Sequence, residues 1–417
     1  MNHPRDQLLA AFKAAVKAAM PDQAVREAVE VIAIRRSKGR TIVVGGGKAS
    51  ASMAKALEDT WEGPLEGVVV TRYGHAVERP KRIKLLEASH PVPDTASEFA
   101  ASQILESVRG LSREDLVIVL ISGGGSALMV APHGVTLEEK VRINQQLLNS
   151  GADITEMNTV RKHLSGLKGG RLALEAAPAR VISLIVSDVV GDDLSTIASG
   201  PTVPDPTTFQ DAIRVLEKYQ IDSQPALEHF KKSTDETPKS DHPAFARVEN
   251  HLIITNAMAL EAARIQLQSF AVVSSILSDG ITGEARDAAR NHALAARNLE
   301  PGTAFLSGGE TTVTVRGSGR GGRNCEFLLA LALEVESEPN LYAIACDTDG
   351  IDGVTEAAGA IITPDSLERA AQLGLDARAM LENNDAYSFF AALGDLVVVG
   401  PTGTNVNDFR AIVRAIR

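Results

Sequence analysis

TIVVGGGKAS, residues 41–50, sets the reading of the whole chain. A short β-branched run, Thr41-Ile42-Val43-Val44, meets three glycines and passes at once into a helical stretch over residues 50–60. A strand that ends in glycine and feeds a helix is the repeating unit of a parallel α/β sheet. The same habit recurs outward from this point. Apolar runs at 67–70 and 84–87 follow, then 116–121 runs into Ser122-Gly123-Gly124-Gly125-Ser126, and 181–186 runs into Ser187-Asp188. Helical patterns lie at 95–108 and 137–148. Continuous apolar strands alternating with helices predict a parallel sheet covered on both faces.

Upstream, Leu8, Leu9, Phe12 and Val16 recur at helical spacing, and Pro21 opens a second helix through Val25, Val29 and Ile32. Downstream, residues 231–247 form a polar, proline-bearing segment, the expected domain boundary or exposed loop. A second α/β series starts after it, with strands expected at 252–255, 272–277, 304–306, 312–315, 342–345 and 396–399. The expected division is therefore residues 1–240 and 241–417. Two domains also suit a chain of 417 residues, since one hydrophobic core stops growing at roughly 250–300.

A formal net charge of −11 argues against nucleic acid or an anionic membrane as the main partner. Two cysteines, Cys325 and Cys346, make neither a disulfide framework nor a zinc site, which suits a reducing cytosol. Charged residues interrupt residues 1–20, so no secretory leader is expected there, and no run approaches the ~20 apolar residues of a membrane helix.

Six segments carry potential chemistry. Gly45, Gly46 and Gly47 open a backbone that a ligand can approach, and Lys48 adds a cation at a helix start. The spacing is not that of the P-loop, G-x-x-x-x-G-K-S/T. Ser122, Gly123, Gly124, Gly125 and Ser126 form a candidate anion nest at a strand end. Arg161, Ser165 and Lys168 share one face if residues 158–171 continue as a helix, and that face resembles a phosphate or carboxylate clamp. Asp188, Asp192 and Asp193 follow a strand and suit a cation or a base, with helix and turn capping as the plain alternative. Gly317, Gly319 and Gly322 satisfy the dinucleotide pattern G-x-G-x-x-G, but Arg316, Arg320 and Arg323 flank them, which suits anionic oxygens generally. Asp347, Asp349 and Asp352 end another strand and resemble a Mg²⁺ or general-base site. The turns expected at Ser307-Gly308-Gly309-Glu310-Thr311 and at residues 400–405 are equally open to a ligand or a purely structural role.

Taken together in this order, GGGKAS (45–50), SGGGSAL (122–128), NTVRKHLSGLKGGRLA (158–173), SDVVGDDLSTIASGPTVPD (187–205), LSGGETTVTV (306–315), GRGGRN (319–324), DTDGIDG (347–353) and PTGTNVND (401–408) resemble the class II glycerate kinases of MOFRL type. The resemblance covers nearly the whole chain. It implies an α/β fold, with a Rossmann-like doubly wound N-terminal domain, a smaller α/β C-terminal domain of MOFRL type, and an active site in the cleft between them. It implies ATP, Mg²⁺ and glycerate, with phosphorylation at the C2 hydroxyl. By motif it marks Lys48, Asp188, Arg323 and Asp349 as catalytic, with Asp188, Asp347 and Asp349 as candidate metal ligands. The glycine loops, Ser122, Ser126, Arg161, Lys168 and Arg320 are the expected substrate and nucleotide contacts. Some members carry the name hydroxypyruvate reductase, so a reductase using NADH or NADPH is the alternative activity. A cytoplasmic monomer or homodimer is expected.

Overall fold

The computed structural model describes all residues except 1–2, 33–36, 77–78, 337 and 417. The chain folds as two compact units, one of residues 21–253 and the other of residues 1–20 with 254–417.

The first unit is built on a six-stranded sheet of β1 (Thr41–Gly46), β2 (Glu66–Arg72), β3 (Ile83–Ala88), β4 (Leu116–Ile121), β5 (Arg180–Val186) and β6 (Val248–Ile254). Their spatial order is β3-β2-β1-β4-β5-β6. Strands β1 to β5 pair in parallel, for example Gly45 with both Val69 and Leu120. The chain winds outward from β1 to β3, then returns to place β4 on the other side of β1. Ligands of open α/β sheets bind at such a reversal, outside the carboxyl ends of the strands. Here that point lies between β1 and β4, whose ends carry GGGK and SGGGS. Every residue of β1 and β4 is buried, which is why both read as unbroken apolar runs.

The second unit holds β7 (Val273–Glu284), β8 (Thr303–Thr312), β9 (Leu341–Asp347), β10 (Gly359–Ile362), β11 (Leu396–Val397) and β12 (Asp408–Arg414), in the order β11-β10-β9-β12-β8-β7. Only β7 and β8 are parallel neighbours; the pairs through β12, β9, β10 and β11 are antiparallel. The helix Arg323–Glu334 lies against this sheet, with Phe327, Leu328, Leu329 and Leu331 buried in its core.

The division differs from the expected 1–240 and 241–417 at both ends. The polar segment 231–247 is not the boundary but the other expected outcome, a partly exposed loop, and it belongs to the first unit. Glu236 accepts from the Phe209 backbone N–H at 3.0 Å and meets His163 Nε2 at 2.8 Å, and Thr237 is buried. These bonds tie the segment to the first unit. The helix Pro4–Ala18 instead buries Leu8, Ala11 and Phe12 within the second unit, and the Phe12 and Phe409 rings lie 5.7 Å apart. An amphipathic helix settles where its apolar face finds a partner, whatever its place in the sequence.

Two local expectations are also corrected. Ser307-Gly308-Gly309-Glu310 is not a turn, because β8 runs through it. Gly308 packs on Asn256 and Gly309 (φ +111°) on the Ile281 backbone, where a side chain would collide. The helix carrying Arg161 stops at His163. Ser165 Oγ accepts from the N–H groups of Leu167 and Lys168, and Gly169 and Gly170 take positive φ, so Lys168 sits on a turn.

Among the described residues no helix is long and apolar enough to cross a membrane. Both cysteines are free and buried.

Candidate functional site

In the first unit the two glycine loops lock together. The Lys48 N–H donates to Gly123 O at 2.8 Å, and the Ala49 N–H donates to Ser122 Oγ at 3.0 Å. Ser50 Oγ donates to Gly47 O and Val70 O. A Cβ on Gly45 would meet Leu120 O at 1.9 Å, and one on Gly47 would meet Ser122 Oγ at 2.1 Å. The demand for glycine at 45 and 47 therefore comes from the neighbouring strand. The interlock fixes Lys48 at the sheet's carboxyl edge.

Gly123, at the end of β4, approaches Asp188, at the end of β5: a Cβ there would meet Asp188 Oδ2 at 2.1 Å. Lys48 and Asp188 thus flank the SGGGS loop from either side. Asp193 is a local cap, accepting from Ser195 N–H and Thr196 Oγ1. On the far face of the loop, Gly124 abuts the His90 ring. Burial, reinforced by Lys48, Arg72 and His75, holds His90 at a pKa of about 4, so it is neutral at pH 7.

Beside His90 and Gly124 opens a cavity of about 220 Å³. Arg161 and Lys168 line it, as does Ser126, whose hydroxyl lies 3.0 Å from Ser199 Oγ. So does Lys140, which the sequence did not single out. Lys140 and Lys168 are 3% and 2% exposed. Lys168 Nζ donates to Met129 O at 2.8 Å; Lys140 Nζ donates to Leu164 O at 2.6 Å and Arg161 O at 3.1 Å. Arg161 Nε donates to Asn144 Oδ1 at 3.3 Å. Burial and the Arg161 charge bring Lys168 down to about 7, and burial pushes Lys140 well below the usual lysine range.

The second unit gathers its charges on three adjacent strands. Asp408, at the start of β12, lies in register between Gly309 of β8 and Asp347 of β9. Arg323, at the start of the helix Arg323–Glu334, reaches across them. Its Nε is 2.7 Å from Asp408 Oδ1, its Nη2 2.7 Å from Asp347 Oδ2, and its Nη1 3.1 Å from Glu310 Oε1. Burial alone would lower its pKa, but Asp408, Asp347 and Glu310 together raise it. Asp347 itself lies well above the carboxylate range, through burial and the nearby Asp349. Its other oxygen accepts from the Asp349 N–H at 3.0 Å, and Asp349 Oδ1 accepts from the Ile351 N–H at 2.9 Å. Asp352 is buried and caps the same helix by accepting from the Asn324 and Cys325 N–H groups, both at 2.9 Å. Asp408 and the buried Arg410 belong to this cluster, and sequence reasoning missed both.

The G-x-G-x-x-G stretch does not form a phosphate turn. The Arg316 and Gly317 N–H groups donate to Asn384 Oδ1, and Gly319 N–H donates to Asn383 O. A Cβ on Gly317 or Gly319 would strike Asn383 or Asp385. These glycines let two loops lie backbone to backbone. Arg320 is 59% exposed, stacked 4.7 Å over the Tyr387 ring.

Residues 7–231 match a family described as a domain of unknown function (DUF4147), and residues 303–408 match the MOFRL family. A D-glycerate 2-kinase of Thermotoga maritima is 40% identical over 405 residues, covering 95% of each chain. This chain belongs to the class II glycerate kinase family. Within that family, a protein of Agrobacterium vitis with the name "Putative hydroxypyruvate reductase" is 50% identical over 98% of this chain and 94% of its own. A crystal structure of glycerate kinase from Thermotoga maritima matches with a TM-score of 0.91 at 38% identity, covering 99% of both chains.

Proposed function

We propose that this glycerate kinase relative transfers the terminal phosphoryl group of ATP to the C2 hydroxyl of D-glycerate, giving 2-phosphoglycerate. The observation that carries the reading is the junction of β1, β4 and β5. There a lysine and an aspartate flank a glycine loop at the sheet's reversal. The names of the kinase relatives support it.

Phosphoryl transfer asks the protein for in-line positioning and for neutralisation of charge on the equatorial oxygens. Lys48 offers a point charge to the transferring group. Asp188 takes the proton of the attacking hydroxyl or holds metal, and Asp349 takes the other role. Arg323 supplies a second cation, its fork already oriented by Asp347 and Asp408. Asp347 accepts from Arg323 on Oδ2 and from the Asp349 N–H on Oδ1, which orients both residues and leaves each oxygen a lone pair for its expected metal role.

Among the described residues no group of three or more His, Cys, Asp or Glu side chains is arranged to hold a metal ion. Mg²⁺ does not need such a cage. It keeps waters and is held by one or two carboxylates together with substrate phosphates. Asp188 in the first unit and Asp349 in the second are each a carboxylate of that kind, and Mg²⁺ held by either with substrate phosphates would neutralise phosphate charge. We further infer a cytoplasmic setting and a monomer or homodimer, with the two free cysteines supporting the first.

The reductase alternative rests on the names of the Agrobacterium relatives. The loop at residues 316–322 gives it no pyrophosphate turn. A paired assay decides. One reaction holds ATP, Mg²⁺ and D-glycerate with ADP release coupled to a readout; the other holds NADH or NADPH with hydroxypyruvate. Turnover only in the second defeats the kinase reading. Direct consumption of the product by enolase, without a mutase, assigns the 2-phosphate.

A further inference from the structure

Lys140, Arg161 and Lys168 line one cavity, and none of them forms an ion pair with a described carboxylate. Among the described residues no acidic side chain lines that cavity. Lys168 spends one donor, on Met129 O, of the three an ammonium has. Buried cations are normally paired, because an uncompensated charge is costly. The three come from separate places: Lys140 from the helix Leu137–Asn149, Arg161 from the helix Ile154–His163, and Lys168 from the turn after it. Burial and mutual repulsion lower the protonation of Lys140 and Lys168, and an anion bound among them would restore their charged forms. The fold holds each by backbone carbonyls or an amide.

We propose that this cavity is the binding subsite for the carboxylate of a small hydroxy acid, with Lys140, Arg161 and Lys168 as its cationic lining. The inference rests on the reading above for which hydroxy acid is used. The size favours a small acid. About 220 Å³ exceeds the ~10–15 Å³ that one water requires but falls below the ~300–1,000 Å³ of sites for larger ligands. The position favours substrate. Gly124 and Ser126 line the cavity, while Gly123 of the same loop touches Asp188 and accepts the Lys48 N–H. An acid whose carboxylate sits among the three cations lies one loop away from both groups. Neutral His90 adds a wall without adding charge.

Calorimetry on the full chain tests this, with D-glycerate, glycerol, inorganic phosphate and ATP as separate probes. Glycerol shares the three-carbon skeleton but has no carboxylate. Wild type is expected to bind D-glycerate and not glycerol. Arg161→Gln is expected to weaken D-glycerate binding about 10- to 100-fold, the range for one charge-assisted hydrogen bond, and to leave ATP unchanged. The variant without ligand should melt no lower than wild type, since one repelling charge is gone. Asn144→Asp is the second variant. It places a carboxylate against Arg161 Nε, supplying internally the anion that the site lacks. It should raise the melting temperature and weaken D-glycerate binding, a combination that a structural role for Arg161 does not produce. D-glycerate affinity within threefold of wild type in both variants overturns the proposal. So does a loss confined to phosphate or ATP, which would make the cavity a phosphate site. Binding needs no turnover, so the outcomes separate. Subsite behaviour without kinase activity defeats only the reading above; kinase activity with unchanged binding in both variants defeats only the subsite.

Discussion

Arg323 Nε lies 2.7 Å from Asp408 Oδ1, joining residues 85 positions apart at the end of the second sheet. With Asp347 and Glu310 it makes Arg323 the countercharge of three acids. Arg323→Ala therefore removes the cation beside the buried Asp347 and leaves Asp408 with Arg410 as its charge partner. It should cost about 3 kcal/mol of stability, the low end for breaking a buried pair, because the Arg323 side chain is 24% exposed. A surface arginine at a helix start would instead be neutral or slightly stabilising to remove. If Arg323 also stabilises transition-state charge, kcat should fall by about 10³–10⁵ with KM for glycerate nearly unchanged. Arg323→Lys keeps a charge but not the fork, and should recover stability more than kcat. Kinetics at a temperature where both variants are folded, with melting curves, checks this. Activity of Arg323→Ala within threefold of wild type would remove Arg323 from catalysis.

Asp352 accepts from two N–H groups in the first turn of the helix Arg323–Glu334. Asp352→Ala should destabilise by about 1–2 kcal/mol, as loss of a capping side chain does, read as a lower urea midpoint at unchanged slope. Asp352→Asn keeps one acceptor and should lose less. Equal losses would mean that its charge matters and its capping does not.

Gly47→Ala tests the interlock of the two loops. Gly47 has φ +147°, and a Cβ would meet Ser122 Oγ at 2.1 Å and Ser122 O at 2.4 Å. The backbone of Ser122 cannot yield cheaply, so the expected effect is a folding defect of at least ~1–3 kcal/mol. Soluble yield and melting temperature should drop together. A stable variant that has lost only ATP binding would instead assign Gly47 to the ligand.

Lys168 makes the affinity for an anion in its cavity depend on pH. Its pKa is about 7, against an ordinary 10.5, because of burial and Arg161. The facing groups are Lys140 and Arg161, which disfavour protonation further, and His90, which is neutral. Binding a carboxylate favours the ammonium form, so KM for glycerate should rise as pH climbs above about 7, with proton uptake measurable by calorimetry in two buffers. Stability runs the other way. Between about 7 and 10.5 the unfolded chain binds this proton and the folded one does not, so Lys168's contribution to stability rises with pH across that window. A flat KM profile between pH 6.5 and 9, in a protein that otherwise keeps its kcat, would exclude the role.

Much of the first unit was legible because its central strands β1, β4 and β5 are buried on both faces. Such strands must be apolar throughout, so β1, β4 and β5 stand out from their neighbours, and the glycine turns mark their carboxyl ends. The candidate residues at those ends, Lys48, Ser122 and Asp188, follow from the same pattern. The second unit was less legible. β12 reads DFRAIVR, with a charge at its first and third positions. Only the approach of Arg323 to Asp408, and of Arg410 to Asp408 and the Phe327 ring at 5.1 Å, explains why those charges are buried there. Lys140 was hidden for a similar reason. In LEEKVRINQQLLN a lysine reads as part of a solvated helix face. It is buried because the end of another helix presents the Leu164 and Arg161 carbonyls to it.

By itself, then, the sequence determined the strand–helix alternation, the glycine-ended edges and the family, since these are written in local periodicity and contiguous motifs. Tertiary structure alone decided which charges meet. It placed Asp408 beside Arg323, gathered Lys140, Arg161 and Lys168 around one cavity, and gave the first helix to the second unit. A charge's neighbours are set by strand order and helix packing over tens to hundreds of residues, and no local spacing encodes that distance.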